Sequence, residues 1–481
     1  MINREYDLKI QNWICENRDR MIDMWLELIR IPSVKSEPEP GAPYGMPCAQ
    51  ALKKATEFAQ QMGFSTRLEA DRGYSLISHG AGDRTIGVFG HSDVVPAGDG
   101  WLYAEPFAPV IRDGVVFGRG CTDNKAGVMA SLFAAQIIKE CGLPLNSRLQ
   151  VFVGSNEENG MGDMIAFVQN EKMPDVCLVP DSSYPCSLGE KGHLKQWNQC
   201  ETPLVDIVDF HGDGAFNIVL DHVTVTIKYT PERFAELTEK VKDSKAFTLS
   251  RTPDGQILLT ATGASKHSAS PEGSVNAALL ACELLADCEM LSQTDRKQLR
   301  TVSELMEGYY GDGLGIAFEE PGFGKLTCTN GMVKVEEGKL CVSVDVRYGS
   351  GLAAEKLEKQ LDKAWREAGW RLTYRLNHHG ASVAPDSPIP ALLTEITCEI
   401  TGQEYKPYWM GGGTYSRHLK NSFTVGSRLR DPASKAVLPE LPIGHGGAHQ
   451  RDEYCIVDDF LLGVRMLTHC ILACDEVIHS Q

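Results

Sequence analysis

The chain has 481 residues, 42% of them hydrophobic and 23% charged, so a globular protein of at least two domains is expected. Its formal net charge of −17, without a basic block, argues against nucleic acid as a partner, because an acidic surface repels phosphate. No apolar stretch has the length of a membrane helix or the character of a signal peptide, and the fifteen cysteines are scattered without C-x-x-C pairs, which predicts a cytoplasmic protein with reduced thiols.

Helices and strands alternate in the first part of the sequence. The spacing of apolar residues predicts helices over 6–31, 48–62 and 125–141, strands at 65–68, 75–78, 85–90, 148–154 and 176–179, and a hairpin over 110–117. This alternation predicts an α/β fold: a mixed, mostly parallel central sheet with helices on both faces.

Ionisable side chains follow three of these strands and precede one helix; they are His91 with Asp93, Glu157 with Glu158, Asp181, and Asp123. Singly, each has an ordinary structural explanation, such as a strand-end histidine paired with a surface aspartate, a solvated acidic turn or a helix N-cap. Because the ends of parallel strands gather at one edge of a sheet, these groups are expected to meet. An imidazole with several carboxylates and no thiolate suits zinc, manganese or cobalt.

The pattern changes after residue 185. A strand at 217–228, a helix at 231–241 and a hairpin over 246–262 are matched later by a strand at 340–347, a helix at 353–368 and a strand at 370–376. This weak internal repeat of a β-α-β unit predicts an inserted α+β lid with two ferredoxin-like halves. The expected domains are therefore a discontinuous catalytic domain, 1–185 with 386–481, and a lid, 186–385.

The last part of the sequence returns to the first pattern, with helices predicted over 389–400 and 456–474. The three glycines at 411–413 lack the lysine and the strand-to-helix context of a phosphate-binding loop, so that interpretation is rejected. His445 and His449 lie in a glycine-rich loop, which lets a backbone approach a ligand closely. From the residues alone, either histidine is a candidate ligand.

Seven motifs occur together in this sequence: G-H-S-D-V-V-P, G-R-G-x-x-D-N-K, N-E-E-N-G, V-P-D-S-S, G-A-S-K-H-S-A-S-P-E-G-S-V-N-A, G-G-G-T-Y-S-R and A-H-Q-R-D-E-Y. By these motifs the chain resembles the di-zinc exopeptidases and deacylases, which include acetylornithine deacetylase, carboxypeptidase G and aminoacylase. Within that superfamily it is most similar to the dipeptidase V type of monomeric bacterial dipeptidase. The resemblance spans residues from about 25 to the C-terminus.

The resemblance implies a site for two divalent metal ions, zinc first, with manganese or cobalt as alternatives. Asp123 would bridge the two ions. His91 and Asp181 would complete the site of one ion, and Glu158 and His449 the site of the other.

The resemblance also implies roles in catalysis. Asp93 would hold His91 in the required tautomer, Glu157 would be the general base, and His267 would polarise the scissile carbonyl. The implied substrate-binding residues are Asn217, Arg347, Gly411, Gly412, Gly413 and Arg417, the last four for a C-terminal carboxylate.

Two positions depart from the family's pattern. Asn124 stands where a second aspartate is common, and Ala126 where glycine is usual.

The implied activity is hydrolysis of a dipeptide by a metal-activated water. The alternatives are an amidohydrolase of N-acyl amino acids with the same site, and a homologue that binds metal without turnover. Small peptides or N-acyl amino acids are the expected partners of a monomer with no membrane or nucleic-acid partner.

Overall fold

The computed structural model describes residues 2–384, 386–442 and 444–480, and the chain forms two compact units. The first unit contains the chain up to Leu188, Val383–Tyr408 and the chain from Thr414 onward. The second unit contains Gly189–Ser382 and Trp409–Gly413. The predicted lid spans 186–385, whereas the main segment of the second unit spans Gly189–Ser382 and the unit also includes Trp409–Gly413, which the prediction assigned to the catalytic part.

The helices are α1 (Arg4–Ile29), α2 (Met46–Gln61), α3 (Lys125–Glu140), α4 (Gly162–Asn170), α5 (Pro231–Val241), α6 (Ala277–Ala286), α7 (Gln293–Leu305), α8 (Ala354–Glu367), α9 (Ile389–Thr401) and α10 (Val457–Ser480). Short 3-10 turns cover Ala70–Arg72 and Tyr415–His418.

The strands before the second unit, or at its start, are β1 (Ser65–Glu69), β2 (Tyr74–His79), β3 (Thr85–His91), β4 (Val110–Arg112), β5 (Val115–Phe117), β6 (Arg148–Gly154), β7 (Val176–Ser182) and β8 (Ser187–Glu190). The strands within the second unit are β9 (Gly192–Cys200), β10 (Ile207–His211), β11 (His222–Ile227), β12 (Phe247–Arg251), β13 (Ile257–Thr262), β14 (Glu319–Glu320), β15 (Gly324–Lys325), β16 (Thr327–Thr329), β17 (Val333–Glu336), β18 (Lys339–Tyr348), β19 (Trp370–His378) and β20 (Ala381–Ser382). The remaining strands are β21 (Tyr408–Met410), β22 (Ser422–Gly426) and β23 (Tyr454–Ile456).

The first unit is built on a six-stranded sheet in the order β1-β2-β6-β3-β7-β22. The four strands β6, β3, β7 and β22 are parallel neighbours, and β1 and β2 extend the sheet in antiparallel pairing. Along β3, Val88 packs into the core formed with α1, α3 and α10, while Phe89 packs on the opposite face with Phe152. Both faces are therefore covered, and the predicted mixed, mostly parallel α/β sheet is confirmed.

The second unit repeats one arrangement twice. β11 and β12 flank β13 and run antiparallel to it, with α5 connecting β11 to β12 along the chain. In the same way β18 and β19 flank β9, with α8 between them in sequence. Each half is thus a split β-α-β unit. Main-chain hydrogen bonds of 2.9 and 3.1 Å between Gly212 and Val333 join the two halves.

Several predicted elements need correction. The strand expected at 217–228 begins only at His222, so Asn217 precedes it. The prediction omitted α4, β9 and β10, and it ended the last helix at 474, whereas α10 continues to Ser480. Among the described residues, no helix has both the length and the apolar composition that crossing a bilayer requires.

Candidate active site

The candidate site lies where three parallel strands of the first unit end. His91 is the last residue of β3, Asp181 lies in β7, and Glu157 and Glu158 follow β6 in a turn. Because β3 is hydrogen-bonded to both β6 and β7, these ends are adjacent. The structure therefore brings together the strand-end residues that the sequence singled out.

The His91 imidazole is buried and lies against two carboxylates. Its Nε2 atom is 3.2 Å from Asp123 Oδ1 and 3.6 Å from Asp181 Oδ2, yet it makes no hydrogen bond within the described residues. Burial acts to lower the pKa of His91, but the carboxylates of Asp181, Asp123 and Asp93 raise it well above its ordinary value. A buried, unpartnered nitrogen that faces carboxylates is suited to a shared cation.

Asp123 connects this histidine to a second group of ligands. Its other oxygen, Oδ2, is 3.1 Å from His449 Nε2, which is in turn 3.0 Å from Glu158 Oε1. These contacts raise the pKa of His449 to about 11, while burial and the charge of Asp123 raise that of Glu158 to about 7. His449, rather than His445, is therefore the loop histidine that reaches the acidic cluster.

The donor set fits a divalent metal. Ligand atoms of His91, Asp123 and Glu158 lie within 4.8 Å of one another, and Asp181 and His449 lie beside them at the distances above. Two imidazoles and three carboxylates without a thiolate are typical of zinc, manganese or cobalt sites. Each predicted metal ligand thus contacts another member of the set.

Asp93 contacts both the histidine and the acidic turn. His91 Nδ1 lies 3.0 Å from the Asp93 backbone oxygen and 3.3 Å from its Oδ1 atom. The backbone amides of Glu157 and Glu158 donate to the two Asp93 carboxylate oxygens at 3.1 and 3.2 Å. Asp93 can therefore orient the imidazole and also hold the turn that carries both glutamates.

Glu157 is buried, with 9% of its surface exposed. Burial, supported by the negative charges of Asp181 and Glu158 and opposed by His91, raises its pKa well above the ordinary value. No described side chain donates a hydrogen bond to its carboxylate. Glu157 is thus an acid–base group beside the ligands that is not engaged elsewhere.

The departure at Asn124 has a structural explanation. Its Nδ2 atom donates to Asp181 Oδ1 at 2.6 Å and to the Pro180 carbonyl at 2.8 Å, and its Oδ1 accepts from the His91 backbone amide at 3.3 Å. An aspartate here would place a second negative charge beside Asp181. Asn124 instead supplies a donor that orients this carboxylate.

Glu453, from the A-H-Q-R-D-E motif, holds the loop that carries Asp123, and the sequence alone did not single it out. It is fully buried and accepts hydrogen bonds from Arg119 and from the Gly120, Thr122 and Asp123 amides. The neighbouring Asp452 binds His445, which explains why that histidine is not at the metal cluster. The adjacent acidic residues Asp452 and Glu453 follow the loop of the candidate ligand His449. This pair was the sequence signal that could have identified Glu453.

In the second unit, the structure brings together three of the predicted residues. The amide of Ser268, next to His267, donates to the Asn217 carbonyl at 2.9 Å. Ser268 Oγ and Arg347 Nε both donate to Asp345, which the sequence analysis did not single out. Burial and the charge of Arg347 lower the pKa of His267, which favours the neutral imidazole.

The predicted carboxylate-binding group is divided between the units. Gly411, Gly412 and Gly413 belong to the second unit, whereas Arg417 lies in a 3-10 turn of the first. In the same turn, Tyr415 donates a hydrogen bond to Asp163 at 2.6 Å and lies edge-on to the His91 ring. Within the G-G-G-T-Y-S-R motif, Tyr415 therefore packs beside the candidate ligand His91.

Comparison with known proteins places these features in a family. The family model "Peptidase family M20/M25/M40" matches residues 87–473. A Bacillus subtilis (strain 168) protein named "Putative dipeptidase YtjP" is 29% identical over 479 residues, covering 96% of this chain and 99% of that protein. "Putative dipeptidase SH1171" from Staphylococcus haemolyticus (strain JCSC1435) is 28% identical over 456 residues, covering 91% of this chain and 93% of that protein.

Solved structures share the fold across nearly the whole chain. Human carnosine dipeptidase 1 matches with a TM-score of 0.59 at 15% identity, covering 98% of this chain and 99% of the other. The di-peptidase Dug1p from Saccharomyces cerevisiae matches with a TM-score of 0.59 at 16% identity, covering 98% of each chain. At these low sequence identities, the structural similarity shows a shared fold and nothing further.

Proposed function

Because the chain belongs to the peptidase family M20/M25/M40 and is a hydrolase that acts on peptide bonds, we propose that it is a metal-dependent dipeptidase cleaving the amide bond of Xaa–amino acid dipeptides. The observation that carries this proposal is the cluster at the strand ends. There a buried histidine with an unpartnered Nε2 faces the Asp123 and Asp181 carboxylates, and the acid–base group Glu157 lies beside them.

The proposal includes two divalent ions, with zinc preferred over manganese or cobalt. His91 and Asp181 would hold one ion, Glu158 and His449 the other, and Asp123 both. When bound, such ions polarise the scissile carbonyl and lower the pKa of water to near neutrality. The contacts of Asp123 to both histidines, at 3.2 and 3.1 Å, support its position between two metal positions.

Glu157 would accept a proton from the attacking water and return it to the leaving amine. Its carboxylate is close to the ligand Glu158 in sequence but is not engaged by a described side chain, as a general base requires. Asp93 would keep His91 Nδ1 protonated, so that Nε2 presents its lone pair towards the cluster.

Substrate binding is assigned to the second unit and to one residue of the first. His267 would donate a hydrogen bond to the developing oxyanion, the kind of contact whose removal typically slows catalysis about a hundredfold or more. The proposed substrate-binding residues remain Asn217, Arg347, Gly411, Gly412, Gly413 and Arg417.

We also propose that the enzyme acts as a monomer. In dimeric members of the superfamily, the histidine equivalent to His267 comes from the partner subunit, and a second lid half within one chain can take that partner's place. The two β-α-β halves, joined by hydrogen bonds between Gly212 and Val333, support a monomer.

A mixing experiment tests this. Inactive His267→Ala and Glu157→Gln chains should stay inactive when mixed. Recovery of activity in the mixture would show that the histidine acts between subunits.

A substrate panel tests the activity. Purified protein supplied with zinc, manganese or cobalt should bind two ions per chain and hydrolyse dipeptides in preference to the matching N-acetyl amino acids. Preference for the N-acetyl compounds would identify an amidohydrolase instead. A metal content of one ion or none at saturating zinc would contradict the two-ion site.

A further inference from the structure

Asp345, in β18 of the second unit, has a buried carboxylate with three side-chain partners. Its Oδ1 atom accepts hydrogen bonds from Arg347 Nε at 2.9 Å and from Ser268 Oγ at 3.0 Å, and its Oδ2 atom lies 2.5 Å from His193 Nε2. Burial, opposed by the Asp345 carboxylate, lowers the pKa of His193 to about 4, and Nε2 donates to Asp345 because an ionised carboxylate can only accept. Ser268 and His193 therefore hold the carboxylate from both sides.

Arg347 is incompletely paired for a buried cation. Only 6% of the residue is exposed, and Nε is its one nitrogen with a hydrogen-bond partner among the described residues. The terminal nitrogens Nη1 and Nη2 are left as parallel donors. Neither atom is among the buried, unpartnered atoms of the described residues, so the small exposed part of Arg347 includes this end, and a charged donor pair open to solvent is suited to an anion.

The contact at Nε decides which edge of Arg347 is available. A guanidinium can bind a carboxylate through Nε and one Nη atom, or through both Nη atoms. Asp345 occupies Nε, which leaves the Nη1–Nη2 edge for a second carboxylate. A lysine at 347 would have neither the Nε anchor nor the paired donors.

We propose that Asp345 is a positioning residue which anchors Arg347 so that its Nη1–Nη2 edge binds the C-terminal carboxylate of the substrate, a role that adds Arg347 to the carboxylate-binding residues proposed above. This inference rests on the proposed dipeptidase function. Asp345 does not touch the substrate, and its negative charge opposes attraction of another carboxylate. Its contribution is therefore alignment of Arg347.

The decisive comparison uses Asp345→Asn and two substrates, a dipeptide with a free C-terminal carboxylate and the same dipeptide as its C-terminal amide. For the free acid, kcat/KM should fall about tenfold or more, mainly through KM, because a charge-assisted anchor is lost. For the amide, which does not need Arg347, the change should stay within about twofold. Arg347→Gln should produce the same loss, and the double variant should lose no more.

Asp295→Asn is a matched control. Asp295 is equally buried in the same unit, but its carboxylate accepts hydrogen bonds from the backbone amides of Val205, Asp206 and Ile207. This variant is expected to lower thermal stability without changing the preference for acid over amide. An equal loss of preference in both variants would show that Asp345 is merely structural.

Binding without turnover separates this inference from the proposed function. In a Glu157→Gln background, which should abolish turnover, calorimetry should show that adding Asp345→Asn weakens N-acetyl-L-alanine binding about tenfold, with N-acetyl-L-alaninamide as reference. Unchanged binding would overturn the positioning role. Tighter binding would also overturn it and would show that the charge of Asp345 outweighs alignment. A protein that hydrolyses no dipeptide but shows the predicted binding difference would refute the dipeptidase proposal alone.

Discussion

Replacing Glu453 by glutamine tests whether one buried carboxylate shapes the metal site. One oxygen of Glu453 accepts from Arg119 Nη1 at 2.8 Å and the Gly120 amide at 2.9 Å. The other accepts from the Thr122 amide at 2.8 Å, the Thr122 hydroxyl at 2.7 Å and the Asp123 amide at 3.1 Å. These bonds hold the loop that carries the proposed bridging ligand.

The size of the effect follows from these five donors. A glutamine has one acceptor oxygen, so its NH2 group must face either the Arg119 and Gly120 pair or the three donors from Thr122 and Asp123. Each buried donor left unpaired costs about 1–3 kcal/mol. The total should be about 3–5 kcal/mol, the usual cost of breaking a buried ion pair. This is a large part of the roughly 5–15 kcal/mol that stabilises a typical protein.

Urea unfolding of the metal-depleted protein measures this loss, with the exposed Glu16→Gln as a control that should change stability by less than about 0.5 kcal/mol. Calorimetric titration with zinc measures the second consequence: because Asp123 loses its fixed position, affinity should fall about 10–100-fold. If Glu453→Gln unfolded within about 1 kcal/mol of the unsubstituted protein and bound zinc equally well, the hydrogen bonds to Glu453 would not support the site.

Three further predictions concern the ligands, the base and the terminal helices. Asp123→Ala should lower metal content more than any other single ligand change, because only this residue would contact both ions; elemental analysis measures it. Glu157→Gln should retain the metals but lose about a hundredfold or more in kcat, and retention of more than about a tenth would assign the base elsewhere. Asp7→Asn should destabilise the protein at pH 7 by about 3 kcal/mol, because Arg465 and His469 would lose their buried carboxylate. Although burial raises the pKa of Asp7, those two partners lower it, so this stability is present above about pH 4 and is lost as the pH falls towards the lowered pKa. Denaturation of both proteins from pH 7 to pH 3 should therefore show a shrinking difference, and a constant one would contradict the ion-pair explanation.

The sequence alone determined the α/β sheet and the composition of the acidic cluster. Strand and helix periodicity are local properties, and the alternation of strands with helices indicates parallel strands, whose ends after β3, β6 and β7 lie at one edge of the sheet. His91, Glu158 and Asp181 could therefore be grouped before any contact was known. The motifs added His449 only through the family resemblance, because its loop shows no periodic pattern.

Only the tertiary structure decided which groups hold these residues in place. Glu453 binds the Thr122 amide across 331 positions of sequence, and Asp345 binds Ser268 across 77, so no local pattern could predict either contact. Asn217 was assigned to a strand because the residues after it alternate, whereas its carbonyl is bound by Ser268 before β11 begins. A buried polar side chain is defined by distant partners, and those partners become neighbours only when the chain folds.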